Sequence, residues 1–99
     1  MHFVYLIYNT KTKKFYLGET DNLSRRLKQH RLGMNKSTRY YCKYWHYVYV
    51  EIYKSKNDAK AREKRLKSHG SGMVEIKKRI KHSIQLVELL DNKTEEGER

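Results

Sequence analysis

The chain has 99 residues, 37% of them apolar, and its 23 lysines and arginines against 11 acids give a net charge of +12. One domain with a thin core follows, and tyrosine, present nine times, has to fill part of that core. The single cysteine, Cys42, excludes an intrachain disulfide and a cysteine-type zinc cluster and suits a reducing cytoplasm, while no apolar run nears the roughly 20 residues of a membrane helix.

The charge is unevenly spread. Residues 83–99 hold five acids and two bases, which leaves 21 bases and six acids in residues 1–82, a net of +15. A body this basic gathers a polyanion, with affinity that falls as salt rises. Nucleic acid is the leading partner class; a ribosomal or acidic membrane surface is the alternative.

The N-terminus, MHFVYLIYN, has neither the basic start nor the cleavage site of a signal peptide. It reads as a strand over Phe3–Tyr8, with Phe3, Tyr5 and Ile7 on one side and Val4, Leu6 and Tyr8 on the other. Lys11–Lys14 is a polar turn, and Phe15–Gly18 is a second short strand, so the pair forms an antiparallel hairpin. Gly18, at that strand's end, permits a sharp exit or a close ligand approach.

A helix follows, capped by Thr20 or Asp21 and running to about Leu32. Leu23, Arg26, Leu27 and His30 share one face at i, i+3, i+4 and i+7. Half of a face that should be apolar is ionisable, so Arg26 and His30 are directed at the sheet or a cleft beside it. The loop GMNKSTRYYCK at 33–43 mixes bases with hydroxyls and aromatics, a combination suited to phosphate contact and stacking.

Tyr44–Tyr53 is the longest strand, with Trp45, Tyr47, Tyr49 and Glu51 alternating against His46, Val48, Val50 and Ile52. Ser55 to Asp58 fits a capping box for a second helix that stops at Gly70. Its narrow apolar face holds Ala59, Glu63 and Leu66, so Glu63 is a carboxylate in an inward position. Gly70–Gly72 is a break, and Met73–His82 is a third helix. The sequence divides into a body at 1–82, an apolar docking segment at 83–90 that is either strand or helical turn, and an acidic disordered tail at 91–99.

Tyrosines on two adjacent strands, an arginine and histidine on one helix and a glutamate on another make a set suited to phosphodiester hydrolysis. An acid holds a hard divalent ion, a cation stabilises the phosphoryl charge, and a base takes a proton from water. The ordinary readings are half-buried sheet tyrosines, a solvated arginine, a structural histidine, and a Glu63 paired with Lys60, Lys64 or Lys67.

The spacing of FVY at 3–5, Tyr16-Leu17-Gly18, Arg26 eight residues after that glycine and His30 four further on resembles the GIY-YIG nuclease family. The run AREKRLKSHGSG at 61–72 resembles the glutamate-bearing helix of its small single-domain members, and Thr38-Arg39 falls where they commonly have a similar pair. The likeness covers about residues 2–82, with Phe-Val for Gly-Ile in the first motif and no asparagine in Gly72–Lys78, where many members carry one. It implies an α/β (α+β) fold, a three-stranded antiparallel sheet flanked by helices.

The resemblance also implies a DNA endonuclease dependent on Mg2+ (or Mn2+). Tyr5 would be general base or water-orienting group, with metal and Arg26 lowering its pKa, and Tyr16 its partner or a phosphate contact. Arg26 would stabilise the transition state, His30 would bond a tyrosine or the phosphate, and Glu63 would hold the metal. Lys36, Thr38, Arg39, Lys43, Lys64 and Lys67 are candidate contacts to DNA, with branched and single-stranded forms among the candidate substrates. Trp45 reads as core. His2, His46, His69 and His82 lack metal-ligand spacing, and Cys42 has no adjacent base to make it a nucleophile. The expected state is a cytoplasmic monomer or weak homodimer. The alternative is a non-catalytic nucleic-acid-binding module on the same fold.

Overall fold

A computed structural model describes residues 1–97. The elements in order are β1 (His2–Asn9), β2 (Phe15–Thr20), α1 (Leu23–Arg31), short 3-10 turns at Lys36–Thr38 and Cys42–Tyr44, β3 (Trp45–Tyr53), α2 (Lys56–Ser68), α3 (Gly70–Arg79) and α4 (Lys81–Gly97). The sheet is antiparallel with order β2-β1-β3, so the first strand is central. This is the α+β architecture the sequence implies.

β1 is buried from Val4 through Asn9 because both sides of the sheet are covered. Tyr5 and Ile7 pack with Trp45 against Leu23 and Leu27 of α1. Val4, Leu6 and Tyr8 pack on the opposite side with Ala59 and Leu66 of α2, Ile76 of α3 and Val87 of α4. The alternation along β1 therefore sorts its side chains as expected.

β3 does not alternate throughout. The β1–β3 register shifts between Leu6 and Ile7, with Leu6 opposite Tyr49 and Ile7 opposite Tyr47. Val48 is the extra residue of a bulge. Trp45, Tyr47 and Val50 thus join the α1 side, while Val48, Tyr49 and Tyr53 join the α2 side. The simple alternation of Trp45, Tyr47, Tyr49 and Glu51 fails at that point.

Several boundaries also move. β2 runs through Gly18 to Thr20 rather than ending at the glycine. The α1 cap is Asn22, whose Oδ1 accepts from Arg25 N at 2.9 Å. Thr20 and Asp21 are otherwise engaged, the first accepting from Asn22 N at 3.2 Å and the second paired with Arg25. The Gly70–Gly72 stretch opens α3 instead of breaking the chain. A Cβ at Gly72 would lie 2.9 Å from Leu66 Cδ2, so the glycine lets α3 close on α2.

Residues 83–90 are helical, and α4 continues to Gly97 where a disordered tail was expected from Asp91; residues 98–99 lie outside the described residues. The extension has partners. Glu88 accepts from the Tyr8 hydroxyl, and Asp91 accepts from Thr10 and pairs with His46 Nε2 at 2.8 Å.

Candidate active site

The site is built from the α1 side of the sheet. Tyr5, on the central strand, stands opposite Gly18 in the β1–β2 ladder. A Cβ at residue 18 would fall 2.5 Å from the Tyr5 Cζ, so only glycine leaves room for the phenol to lie across β2. The second motif's glycine thus makes space for the first motif's tyrosine. Tyr16 is beside it, with ring centroids 6.5 Å apart. Tyr47, brought to this side before the bulge, meets Tyr5 edge-on at 5.5 Å and donates to Leu23 O at 2.6 Å.

α1 supplies the polar partners. Arg26 Nε donates to the Tyr5 hydroxyl oxygen at 3.1 Å, and Arg26 Nη1 donates to Gln29 Oε1 at 3.1 Å. Tyr5 Oη lies 2.7 Å from His30 Nε2, and His30 Nδ1 lies 2.7 Å from Thr38 Oγ1. Tyr5, His30 and Thr38 are all enclosed.

One direction satisfies all of these contacts together with the loop carbonyl of Asn35. The Thr38 hydroxyl donates to Asn35 O and so accepts from His30 Nδ1, which leaves Nε2 to accept the Tyr5 proton while the Tyr5 oxygen accepts from Arg26. His30 is then the Nδ1–H tautomer and donates to Thr38, whose hydroxyl has Asn35 O within 3.5 Å. Trp45 Nε1 donates to Thr38 O at 2.8 Å and fixes the loop that carries this last member.

The electrostatics agree with that assignment. Burial lowers the His30 pKa to about 4, and the nearby Arg26 charge adds to the effect, so the imidazole is neutral at pH 7. Burial raises the Tyr5 pKa above the ordinary phenol value, and the Arg26 hydrogen bond and charge only partly oppose it. Arg26 alone therefore leaves Tyr5 a neutral phenol. Burial also works to lower the Arg26 pKa, but the Tyr5 and Tyr16 oxygens outweigh it and the value rises.

The structure brings together four of the five expected site residues, Tyr5, Tyr16, Arg26 and His30. Glu63 has no hydrogen bond to this group. It lies on α2, which packs through Ala59 and Leu66 on the other side of the sheet and also runs against β2. Its carboxylate is 23% exposed and pairs with Lys67 at 3.3 Å.

Among the described residues no group of three or more histidines, cysteines and acids could hold a metal. A single, partly exposed carboxylate with one exposed lysine partner nevertheless fits a hard ion such as magnesium. Such an ion keeps several waters and takes one or two carboxylates plus substrate phosphate.

Of the expected DNA contacts, Lys36, Arg39, Lys43 and Lys64 are exposed, and Lys67 is exposed but paired with Glu63. Thr38 is buried and holds His30, so it cannot touch DNA as placed. Its part is to position the imidazole. Gln29 and Tyr47 were missed. Gln29 follows Arg26 at i+3 and could have been found from that spacing.

A family model described as the GIY-YIG catalytic domain matches residues 1–81. No curated protein and no solved structure matches the chain significantly. The chain belongs to the GIY-YIG family. Membership implies nuclease-type activity with DNA as the substrate.

Proposed function

We propose that this protein is a divalent-metal-dependent endonuclease that hydrolyses phosphodiester bonds in DNA through Tyr5, Tyr16, Arg26, His30 and Glu63. The single observation that carries the reading is the continuous chain Arg26–Tyr5–His30–Thr38. An ordinary core does not bury a neutral imidazole against a phenol and then aim a guanidinium at the same oxygen.

In the reaction a water oxygen bonds to phosphorus and the bond to the leaving sugar oxygen breaks. Arg26 opposes the charge that builds on the non-bridging oxygens. Tyr16, half-exposed beside Tyr5, contacts the phosphate or the attacking water. Tyr5 receives the water's proton on its oxygen as its own proton passes to His30 Nε2. The leaving sugar oxygen takes a proton from solvent water, and His30, which disfavours the charged form, returns its proton to Tyr5 as Tyr5 releases one to solvent, so the site resets. Glu63 would hold the metal ion, which supplies charge neutralisation at the phosphate and orders water. The exposed Lys36, Arg39, Lys43 and Lys64 gather the DNA backbone. The single cysteine fits work in the cytoplasm, and the protein acts as a monomer or weak homodimer.

The lack of a bond between Glu63 and the other four favours a second reading, a nucleic-acid-binding module without catalysis. One experiment separates them. Wild type, Glu63→Ala and Arg26→Ala are incubated with supercoiled plasmid and with branched DNA, with and without magnesium. Nicking by wild type with magnesium alone, lost in both variants, supports hydrolysis. Equal behaviour of all three proteins rejects it.

A further inference from the structure

Beside the site lies a cleft of about 320 Å3, lined by Lys14, Tyr16, Ser37, Tyr40, Tyr41 and Trp45 among others, of which the mechanism uses Tyr16 alone. Tyr16 belongs both to this cleft and to the cluster around Tyr5 and His30, its ring 5.1 Å from the imidazole. Cleft and reaction site are thus continuous through one side chain.

The walls are held in place from the core. Asn9, fully buried at the end of β1, accepts from Lys11 N and Thr12 N at 2.9 Å each and donates to Tyr41 O at 3.0 Å. One amide therefore ties the 10–14 turn, on one side of the cleft, to the loop that forms the other. Lys13 and Tyr41 are the non-glycine residues with positive φ among the described residues, at 64° and 49°, the first in the 10–14 turn and the second in the cleft wall. Tyr41 is kept there by Asn9 and by Tyr44 N, which donates to the same carbonyl at 3.1 Å.

This anchoring presents large rings to solvent. Tyr40 is 78% exposed and Tyr41 56% exposed, in a chain whose core uses tyrosine as filler and could have used them so. An exposed pair of rings over a tryptophan-floored cleft, with a lysine at the rim, has the chemistry of a nucleobase platform. Stacking satisfies the base's faces and the ammonium takes a phosphate. The volume stands at the small end of ligand cavities, roughly 300–1,000 Å3, which is room for one nucleotide. A duplex cannot enter with its bases stacked and paired.

We propose that the cleft receives an unstacked base of single-stranded DNA adjoining the phosphate at Arg26, held by Tyr40 and Tyr41 with Lys14 on its backbone. This rests on the DNA reading above and narrows the substrate to sites with an unpaired nucleotide.

The test is a binding titration of the full chain in chelator, without divalent ions, so that no cleavage occurs. The probes are a labelled oligothymidylate of about twelve nucleotides, within the usual span of single-strand sites, and a paired duplex of equal length. The variant is Tyr40→Ala with Tyr41→Asn, since asparagine tolerates the left-handed backbone at 41. Single-strand affinity should fall about tenfold or more, with duplex affinity and the salt slope unchanged because no charge is lost. Tyr40→Phe with Tyr41→Phe, which keeps both rings, should bind as wild type. Quenching of Trp45, the one tryptophan, should accompany single-strand binding and not duplex binding.

Wild-type affinity in the ring-less variant, or an equal loss on both probes with its circular dichroism intact, overturns the proposal. If that variant unfolds, single Tyr40→Ala carries the same comparison at the more exposed ring. Failure here is separable from failure of the nuclease reading. Ring-dependent binding without nicking leaves the cleft and removes the hydrolase. Nicking with ring-independent binding does the reverse.

Discussion

Gly18 and Tyr5 face one another across the β1–β2 ladder, and the glycine's missing side chain is the space the phenol occupies. Gly18→Ala should therefore destabilise the fold by about 1–3 kcal/mol, the usual cost of overpacking. Tyr5→Phe should not rescue it, because the ring carbon Cζ, and not only the hydroxyl, is 2.5 Å from the added carbon. Urea unfolding of the single and double variants measures both statements. A Gly18→Ala protein as stable as wild type would show that Tyr5 does not lie over β2.

Arg26→Lys should separate chemistry from folding. Lysine keeps the charge but lacks the guanidinium fork that bonds Tyr5 through Nε and Gln29 through Nη1. Nicking should fall about 100-fold or more, as when one transition-state donor is removed. The unfolding midpoint should hardly move, since Arg26 is only half-buried.

His30 should make stability fall on the acid side. Its folded pKa, about 4, lies below its ordinary 6.5 because burial disfavours the imidazolium. Between those values the unfolded chain binds a proton that the folded chain refuses. Stability is then complete above about pH 6.5 and is lost as pH falls toward 4, by roughly 3 kcal/mol in all. Unfolding free energies of wild type and His30→Gln should diverge in slope only across this interval. Parallel slopes would mean that His30 titrates normally.

Thr38→Val should act through His30. Valine matches the shape but leaves His30 Nδ1–H without its partner, a loss of about 1–3 kcal/mol. The freed imidazole can also take the other tautomer, which would turn a donor rather than an acceptor toward Tyr5. Thr38→Ser should restore both stability and the His30 ring-nitrogen NMR shifts, whereas Thr38→Val should alter the shifts. Unchanged shifts in the valine protein would remove Thr38 from the relay.

Glu51 should prove the most sensitive acid on the other side of the sheet. Tyr49 and Tyr53 donate to it at 2.6 Å each, and Arg62 reaches both its oxygens at 2.9 and 3.0 Å. Glu51→Gln should cost about 1–3 kcal/mol by thermal or urea unfolding, with nicking per folded molecule unchanged.

The α1 half of the site was legible because helical spacing alone puts Arg26 and His30 with Leu23 and Leu27, and two ionisable residues on an apolar face need a reason. β1 was legible for the same kind of reason, its two sides both being apolar. The third phenol, Tyr47, was hidden. Whether it shares a side with Tyr5 depends on the bulge at Val48, and no glycine marks that position. Thr38 looked like a surface contact because its neighbours Lys36 and Arg39 are exposed; only closure of the loop under Trp45 buries it. The run SIQLVELL fits strand or helix by composition. Its choice of helix is tied to Glu88 and Asp91, which find Tyr8, Thr10 and His46, partners 45 or more residues earlier in the chain.

β1 gives one set of alternate residues to the chemistry and the other to the core. Adding or removing a single residue within it would turn Tyr5 toward α2 and Leu6 toward Arg26, inverting both at one stroke. The length of this strand is therefore locked from two directions. Changes of length are therefore left to the connections between elements, among them the turn after Asn9 and the loop after Gly33, the two segments that border the cleft.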